Sequence, residues 1–199
     1  MILRNYLKTY ESILNYNVDI FTIYEARDFY RNFLKKHKFE YDLKDKIHYY
    51  SYGDFDGMFA SDNYKDTCRL IIAHNDKDIL GICKFANWDL TGHYAISYCS
   101  TNKDYLTMGV SKKLLETLFK YFSETYPNET LNFSGYSIEG WKYLRKYILE
   151  YSKKYNVKIA EKWIEYPGIK GKFDKEDWEL MDKSREEIRK TYGKNEYDY

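Results

Sequence analysis

The 199 residues suit one domain, or one domain with an appendage, and are ample for a sizeable core. Lys and Arg total 32 against 31 Asp and Glu, so the formal net charge of +1 gives no general attraction to nucleic acid or to an acidic membrane surface. There is no charged-then-apolar leader and no apolar run near the ~18 residues of a membrane span, so the expectation is a cytoplasmic protein with no membrane partner.

At the start of the chain Ile2, Leu3, Tyr6, Leu7, Tyr10, Ile13 and Leu14 recur at helical spacing and predict an amphipathic helix. Thr22 with Glu25 reads as a capping box. Ala26, Phe29, Tyr30, Phe33 and Leu34 then form a second helical stripe that ends near Lys35 and Lys36, where basic residues complement the helix dipole. Residues 38 to 66 carry little pattern beyond the turn-rich Gly53-Asp54-Phe55-Asp56-Gly57.

From Cys68 the reading clears. Leu70 to Ala73 form a strand, Asn75 to Asp78 a tight connection, and Ile79 to Trp88 a second strand. Asp89 to Gly92 turn into a third, His93 to Cys99, so short connections imply an antiparallel meander. Both faces of the third strand are coverable, which favours a central position. After the polar stretch Ser100 to Asp104, Val110, Leu114, Leu115, Leu118, Phe119 and Phe122 make one continuous helical stripe. Leu131 to Tyr136 is the next strand, and a strand, helix and strand of this length read as a right-handed parallel crossover. The sheet is therefore mixed.

Ser137 is a fair N-cap for a helix whose face is Trp141, Leu144, Ile148, Tyr151 and Tyr155, closing at Asn156. Val157 to Tyr166 reads as an edge strand because Lys158, Glu161 and Lys162 intrude. Asp174 then begins a charged helix with Trp178, Met181, Arg185, Ile188 and Tyr192 on one side and Gly193 past its end. That narrow apolar side leaves two packing partners open, the core or a second copy of the chain in a homodimer. Residues 194 to 199 read as a frayed end.

Cys68, Cys83 and Cys99 fall in predicted strands, and an odd number argues against a disulfide framework. Neither they nor His37, His48, His74 and His93 make a metal-ligand set, so no metal is expected. The 24 tyrosines lie on core stripes as often as on polar faces, which favours packing over a stacking platform for single-stranded nucleic acid.

Gly109 stands where strand gives way to helix. A helix start offers backbone N–H groups with no partner inside the helix, and the dipole adds positive potential. Val110, Ser111 and Lys112 follow at once, so the junction suits a phosphate; an ordinary helix start relieved by glycine is the other reading.

Tyr105-Leu106-Thr107-Met108-Gly109-Val110-Ser111, followed by Leu114-Leu115, resembles the acyl-coenzyme A loop of the GCN5-related N-acetyltransferases (GNATs), in which Arg or Gln precedes a Gly-x-Gly/Ala pair. Leu106 occupies the usual Arg/Gln position and Ser111 replaces the second small residue. The resemblance covers about residues 68 to 165. It implies a GNAT-like α/β fold: a mixed sheet with antiparallel meander, β-α-β crossover and flanking helices, here with an extra C-terminal helix where the family usually ends in a strand. On that basis residues 1–173 form the acyltransferase domain and 174–199 a helical extension.

The resemblance further implies acetyl-CoA as acyl donor and a small-molecule or peptide amine as acceptor, joined by direct attack in a ternary complex. Leu106 to Lys112 would hold the diphosphate, and backbone N–H groups of Tyr98, Cys99 and Ser100 would polarise the thioester carbonyl. Two neighbouring strands would splay to admit the pantetheine arm. Asp54 and Asp56 either grip the acceptor or satisfy their own turn. The family's usual proton donor is a tyrosine whose slot lands on Leu144, with Tyr143 one position earlier; Glu139 and Tyr136 flank it as bases. The alternative is a catalytically reduced GNAT-fold binding protein.

Overall fold

The structure is a computed structural model that describes residues 15–43, 45–47, 66–87 and 93–193. The helix expected over 2–14, the turn with Asp54 and Asp56, residues 89–92 and the tail 194–199 lie outside the described residues.

Thr22 both ends strand β1 (Asn17–Thr22) and caps helix α1 (Ile23–Lys36). Its hydroxyl accepts from the Glu25 amide at 3.3 Å, and the Glu25 carboxylate accepts from the Thr22 amide at 2.8 Å, so the expected capping box is formed. β1 was not expected from the sequence. It pairs antiparallel with β2 (Arg69–His74), Asn17 opposite His74 and Thr22 opposite Arg69. Asn75 shapes the connection that follows, its Oδ1 accepting from the amides of Lys77 and Asp78, both at 2.8 Å.

β3 (Ile79–Asn87) is buried along its whole length, as a central strand must be. β4 (His93–Thr101) leads to α2 (Val110–Thr125), and every member of the expected stripe from Val110 to Phe122 is buried. β5 (Thr130–Phe133) lies parallel to β4, and β7 (Lys158–Glu161) parallel to β5. The sheet order β1-β2-β3-β4-β5-β7 is an antiparallel run handed over to a parallel one. This is a mixed α/β fold, GNAT-like in its succession of elements.

Two compact units share the chain, Met1–Cys83 with Cys99–Leu114, and Lys84–Tyr98 with Leu115–Tyr199. The first holds the α1 packing, where Phe29 lies 5.1 Å from Phe21 and 4.6 Å from His74, ring centre to ring centre. In the second, Phe122 meets Phe85 and Tyr94 edge-on at 6.2 and 5.4 Å. Full burial of a ring such as Phe85 or Phe122 contributes about 1.5–3 kcal/mol.

Two expected strands are shorter than read. The run from Leu131 stops at Phe133, because Gly135 turns the backbone with φ +150°, and β6 (Tyr136–Ser137) joins a separate two-stranded sheet with β8 (Ile164–Tyr166). Val157 to Tyr166 likewise divides at Lys162 and Trp163 into β7 and β8. Glu161, read as an exposed intrusion, is buried.

Ser137 does cap the next helix, its Oγ accepting from the Gly140 amide at 3.0 Å. A π turn occupies Gly140–Leu144 before α3 (Arg145–Tyr155), which closes at Asn156 in the left-handed region. Helix α4 (Lys175–Tyr192) starts at the Asp174 cap and ends at Gly193. Its Met181, Ser184 and Ile188 are buried, and Ser184 Oγ accepts from the Ile164 amide at 3.1 Å, so α4 packs on β8 of its own chain.

Candidate functional site

The junction between β4 and α2 is built on one wholly buried side chain. Asn102 donates its backbone N–H to the Leu80 carbonyl at 2.8 Å and its side-chain amide to the Ile79 carbonyl at 2.9 Å, while its Oδ1 accepts from the Asp104 amide at 3.0 Å. Further out, Tyr105 donates its hydroxyl to Asp78 at 2.6 Å and Lys46 reaches Asp104 at 2.6 Å. Gly81 lets α2 settle beneath this loop: a Cβ there would stand 2.9 Å from Val110 Cγ1 and 3.0 Å from the Ser100 carbonyl. None of these anchors was singled out in the sequence. Asn102 and Asp104 passed there as polar punctuation.

So fixed, the loop passes through Leu106, which is 48% exposed, and through Thr107 and half-buried Met108 to Gly109. Thr107 has φ +70° and Gly109 φ +76°, both left-handed. A Cβ at Gly109 would meet nothing within 4 Å among the described residues, so the glycine is required by backbone conformation and not by crowding from them. The amides of Gly109, Val110 and Ser111 have no acceptor among the described residues, and the Gly109 carbonyl accepts from the Lys113 amide at 3.0 Å. The Ser111 hydroxyl is turned to that of Thr101. An anion presented to these donors would find several N–H groups and the positive end of a sixteen-residue helix. These features fit the diphosphate of a coenzyme A thioester.

β4 and β5 pair from His93 opposite Thr130 to Ile96 opposite Phe133, and there the pairing ends, although β4 continues to Thr101. Tyr98, Cys99 and Ser100, the expected carbonyl-polarising stretch, are half-buried and lie in the part of β4 beyond its pairing with β5. In an antiparallel ladder the N–H and C=O of successive residues point alternately toward and away from the partner. Counted from the Asn102–Leu80 bond, Cys99 is a residue whose backbone groups turn away from β3.

The three expected acid–base residues have different surroundings. Tyr136 is buried and donates its hydroxyl to Glu161 at 2.5 Å; burial first, and then the Glu161 charge, holds its proton well above the ordinary tyrosine range. Glu161 also accepts from Arg145 Nε at 3.0 Å, Arg145 Nη2 at 3.1 Å and the Tyr192 hydroxyl at 3.1 Å. Glu139 is half-buried and covers Gly168, where an added Cβ would collide with its carboxylate. Tyr143 is 64% exposed and lies in the π turn, so a slot counted on plain α-helical spacing does not hold through it. Leu144 is half-buried beside it. Among the described residues no group of three or more His, Cys, Asp or Glu side chains could hold a metal ion, and no helix is long and apolar enough to cross a membrane.

No family model and no curated protein matches the chain. Among solved structures, it is similar to an aminoglycoside acetyltransferase from an uncultured soil metagenomic sample, in complexes with trehalose and with sisomicin. Each gives a TM-score of 0.43 at 12% identity, covering 70% of this chain and 86% of the other. It is also similar to a ribosomal-protein-alanine N-acetyltransferase from Brucella melitensis biovar Abortus 2308, with a TM-score of 0.41 at 14% identity over 76% of this chain and 96% of that one.

Proposed function

We propose that this chain is an N-acyltransferase, moving an acetyl group from acetyl-CoA to a primary amine by direct attack in a ternary complex. The observation that carries the reading is the set of backbone amides at Gly109, Val110 and Ser111 with no acceptor among the described residues, held in place by the Asn102 anchor. The loss of β5 pairing beyond Ile96 supports it.

Bound acetyl-CoA supplies an activated thioester; the chain's residues do the rest. Gly109 to Lys112 hold the diphosphate, and the helix dipole contributes ~0.3–1 kcal/mol to a bond network that several amides must share. The Cys99 amide donates toward the acyl carbonyl, in the manner of an oxyanion donor. Tyr143 holds the proton returned to the leaving sulfur, and Glu139 takes the proton of the attacking amine. Tyr136, its own proton engaged by Glu161, anchors the short strand just ahead of Glu139. The acceptor is a small-molecule or peptide amine.

Thermal melting with and without acetyl-CoA tests the loop: ligand at a hundred times its dissociation constant adds ~2.7 kcal/mol of stability. Gly109→Asp, which puts a carboxylate against the diphosphate, abolishes that shift, while Gly109→Ala retains more of it. No shift at millimolar ligand overturns the reading. Thiol release with a panel of amines, from aminoglycosides and polyamines to peptide N-termini, then tests turnover. Binding without turnover selects the second reading, a catalytically reduced protein of the same fold, which the exposed Leu106 in the usual Arg/Gln position favours.

A further inference from the structure

The proposed reaction uses no thiol, yet two of the three cysteines face each other. β3 and β4 are neighbours in the sheet, and the Asn102 amide donates to the Leu80 carbonyl. Stepping along the two strands in opposite directions from that hydrogen-bonded pair gives Gly81 with Thr101, Ile82 with Ser100, then Cys83 with Cys99. Hydrogen-bonded and non-hydrogen-bonded pairs alternate along an antiparallel ladder, so the third step lands on a non-hydrogen-bonded pair, with Cα atoms about 4.5 Å apart. That lies inside the ~4.4–6.8 Å range that a disulfide spans. The electrostatics agree with this register: the Cys99 thiol, ahead of burial, raises the Cys83 pKa.

Their accessibility differs. Cys83 is fully enclosed, whereas Cys99 is half-buried on a strand that has lost its β5 neighbour. Cys68, the third thiol, is fully buried just before β2.

We propose that Cys83 and Cys99 form a modification site for small organic disulfides, with Cys99 reacting first and Cys83 closing a reversible cross-strand bond. In the first step the Cys99 thiolate attacks one sulfur of the reagent; the reagent's S–S bond breaks, a mixed disulfide forms on Cys99, and one thiolate leaves and takes up a proton. In the second, Cys83 gives up its proton and attacks the Cys99 sulfur, expelling the second thiol. Two protein thiols are oxidised and one external disulfide is reduced to two thiols. The neighbouring thiol and burial hold Cys83 protonated, which fits it to resolve the mixed disulfide and not to start it. Because the partners already face each other across the ladder, closing the bond takes a local adjustment of ~1 Å between the facing Cβ atoms.

The test treats the native full-length chain with oxidised glutathione, blocks remaining thiols in acid, and reads intact mass and a non-reducing peptide map. A sample in urea serves as the control for reagent activity. The expected product is lighter by about 2 Da, two hydrogens, before blocking. It carries a single cross-link between the Cys83 and Cys99 peptides, with Cys68 still free, and reverts on reduction. Cys83→Ser stops at glutathione on Cys99, and Cys99→Ser stays unmodified. Three free thiols in the native chain while the urea control reacts, a lasting glutathione adduct on wild-type Cys99, or a bridge to Cys68 each overturns the proposal, and all three are read on the wild-type protein.

Discussion

Asn102 donates its side-chain amide to the Ile79 carbonyl at 2.9 Å from a site with no solvent exposure. With its other two bonds, it ties the end of β4 to the start of β3 and holds the first turn after β4. Asn102→Ala removes the side-chain partners of the Ile79 carbonyl and the Asp104 amide, at a cost of ~1–3 kcal/mol. Urea unfolding should show a lower midpoint at unchanged slope, the mark of a stability loss without a change in the surface exposed. Acetyl-CoA affinity should fall with it, because the amides at Gly109 to Ser111 are aimed by this loop. Unchanged affinity in a destabilised variant would detach the loop from the site.

Glu161 is the acceptor at the centre of a second buried network. It takes four bonds, two from Arg145 and one each from Tyr136 and Tyr192, while Arg145 also reaches Glu187 at 2.5 Å and lies 4.2 Å over the Trp141 ring. Glu187 and Tyr192 belong to α4, so this carboxylate and its arginine fasten the C-terminal helix to α3. Neutralising Glu161 leaves the buried Arg145 with Glu187 as its one carboxylate partner in this network, so Glu161→Gln should cost up to ~3–5 kcal/mol. The double variant Glu161→Leu with Arg145→Met should cost less than the two single changes added together. A double-mutant cycle by urea unfolding reads this directly, and additive losses would mean that the pair does not act as a unit.

Much of the fold was legible because local patterns dominate it. The Thr22–Glu25 box, the Val110 to Phe122 stripe, Asn156 and the Asp174 to Gly193 helix each follow from neighbours within a turn or two, and each stands where spacing put it. β1 was missed because Asn17 to Thr22 is held by pairing to β2, some fifty residues away, and Asn17 and Asp19 are weak strand formers. The division of 157–166 was missed because a buried Glu161 looks in sequence like an exposed one; only Arg145, Tyr136 and Tyr192 converging on it make burial affordable. In the site, the glycine was readable from its position, whereas Asn102 was not. Its role depends on two carbonyls of β3 that no spacing rule connects to it.

Alkaline pH should destabilise the chain through its buried tyrosines. Burial, helped by Asp78, pushes the Tyr105 hydroxyl from its ordinary 10.0 up to about 12, and burial does the same for Tyr151, whose hydroxyl has no hydrogen-bond partner among the described residues. The folded state thus holds these protons more tightly than the unfolded state. Their stability is fully present below about pH 10 and is lost as pH climbs toward about 12. Unfolding free energies taken from about pH 8 to about 11.5 should be level at first and then decline. Tyr105→Phe should flatten part of the decline while lowering the plateau, because the 2.6 Å bond to Asp78 goes with the hydroxyl. A flat profile to the top of that range would contradict the burial of these groups.

Tyr143 and Tyr136 should separate cleanly when each loses its hydroxyl. Tyr143 is 64% exposed in the π turn, so Tyr143→Phe should leave stability within about 0.5 kcal/mol of the wild type. If it returns the proton to the leaving sulfur, the same change should lower kcat by ~10²–10⁴-fold with little change in the KM for acetyl-CoA, since general acid catalysis acts on the transition state and not on donor binding. Tyr136→Phe works in the opposite sense. It strips one charge-assisted bond from a fully buried carboxylate, which should cost ~1.5–3 kcal/mol of stability, and any loss of turnover should follow the loss of folded protein. Steady-state kinetics on both variants, normalised to the folded fraction from urea unfolding, makes the comparison. Full turnover in Tyr143→Phe would remove that hydroxyl from the mechanism, because the leaving thiolate would then be taking its proton from water or from Glu139.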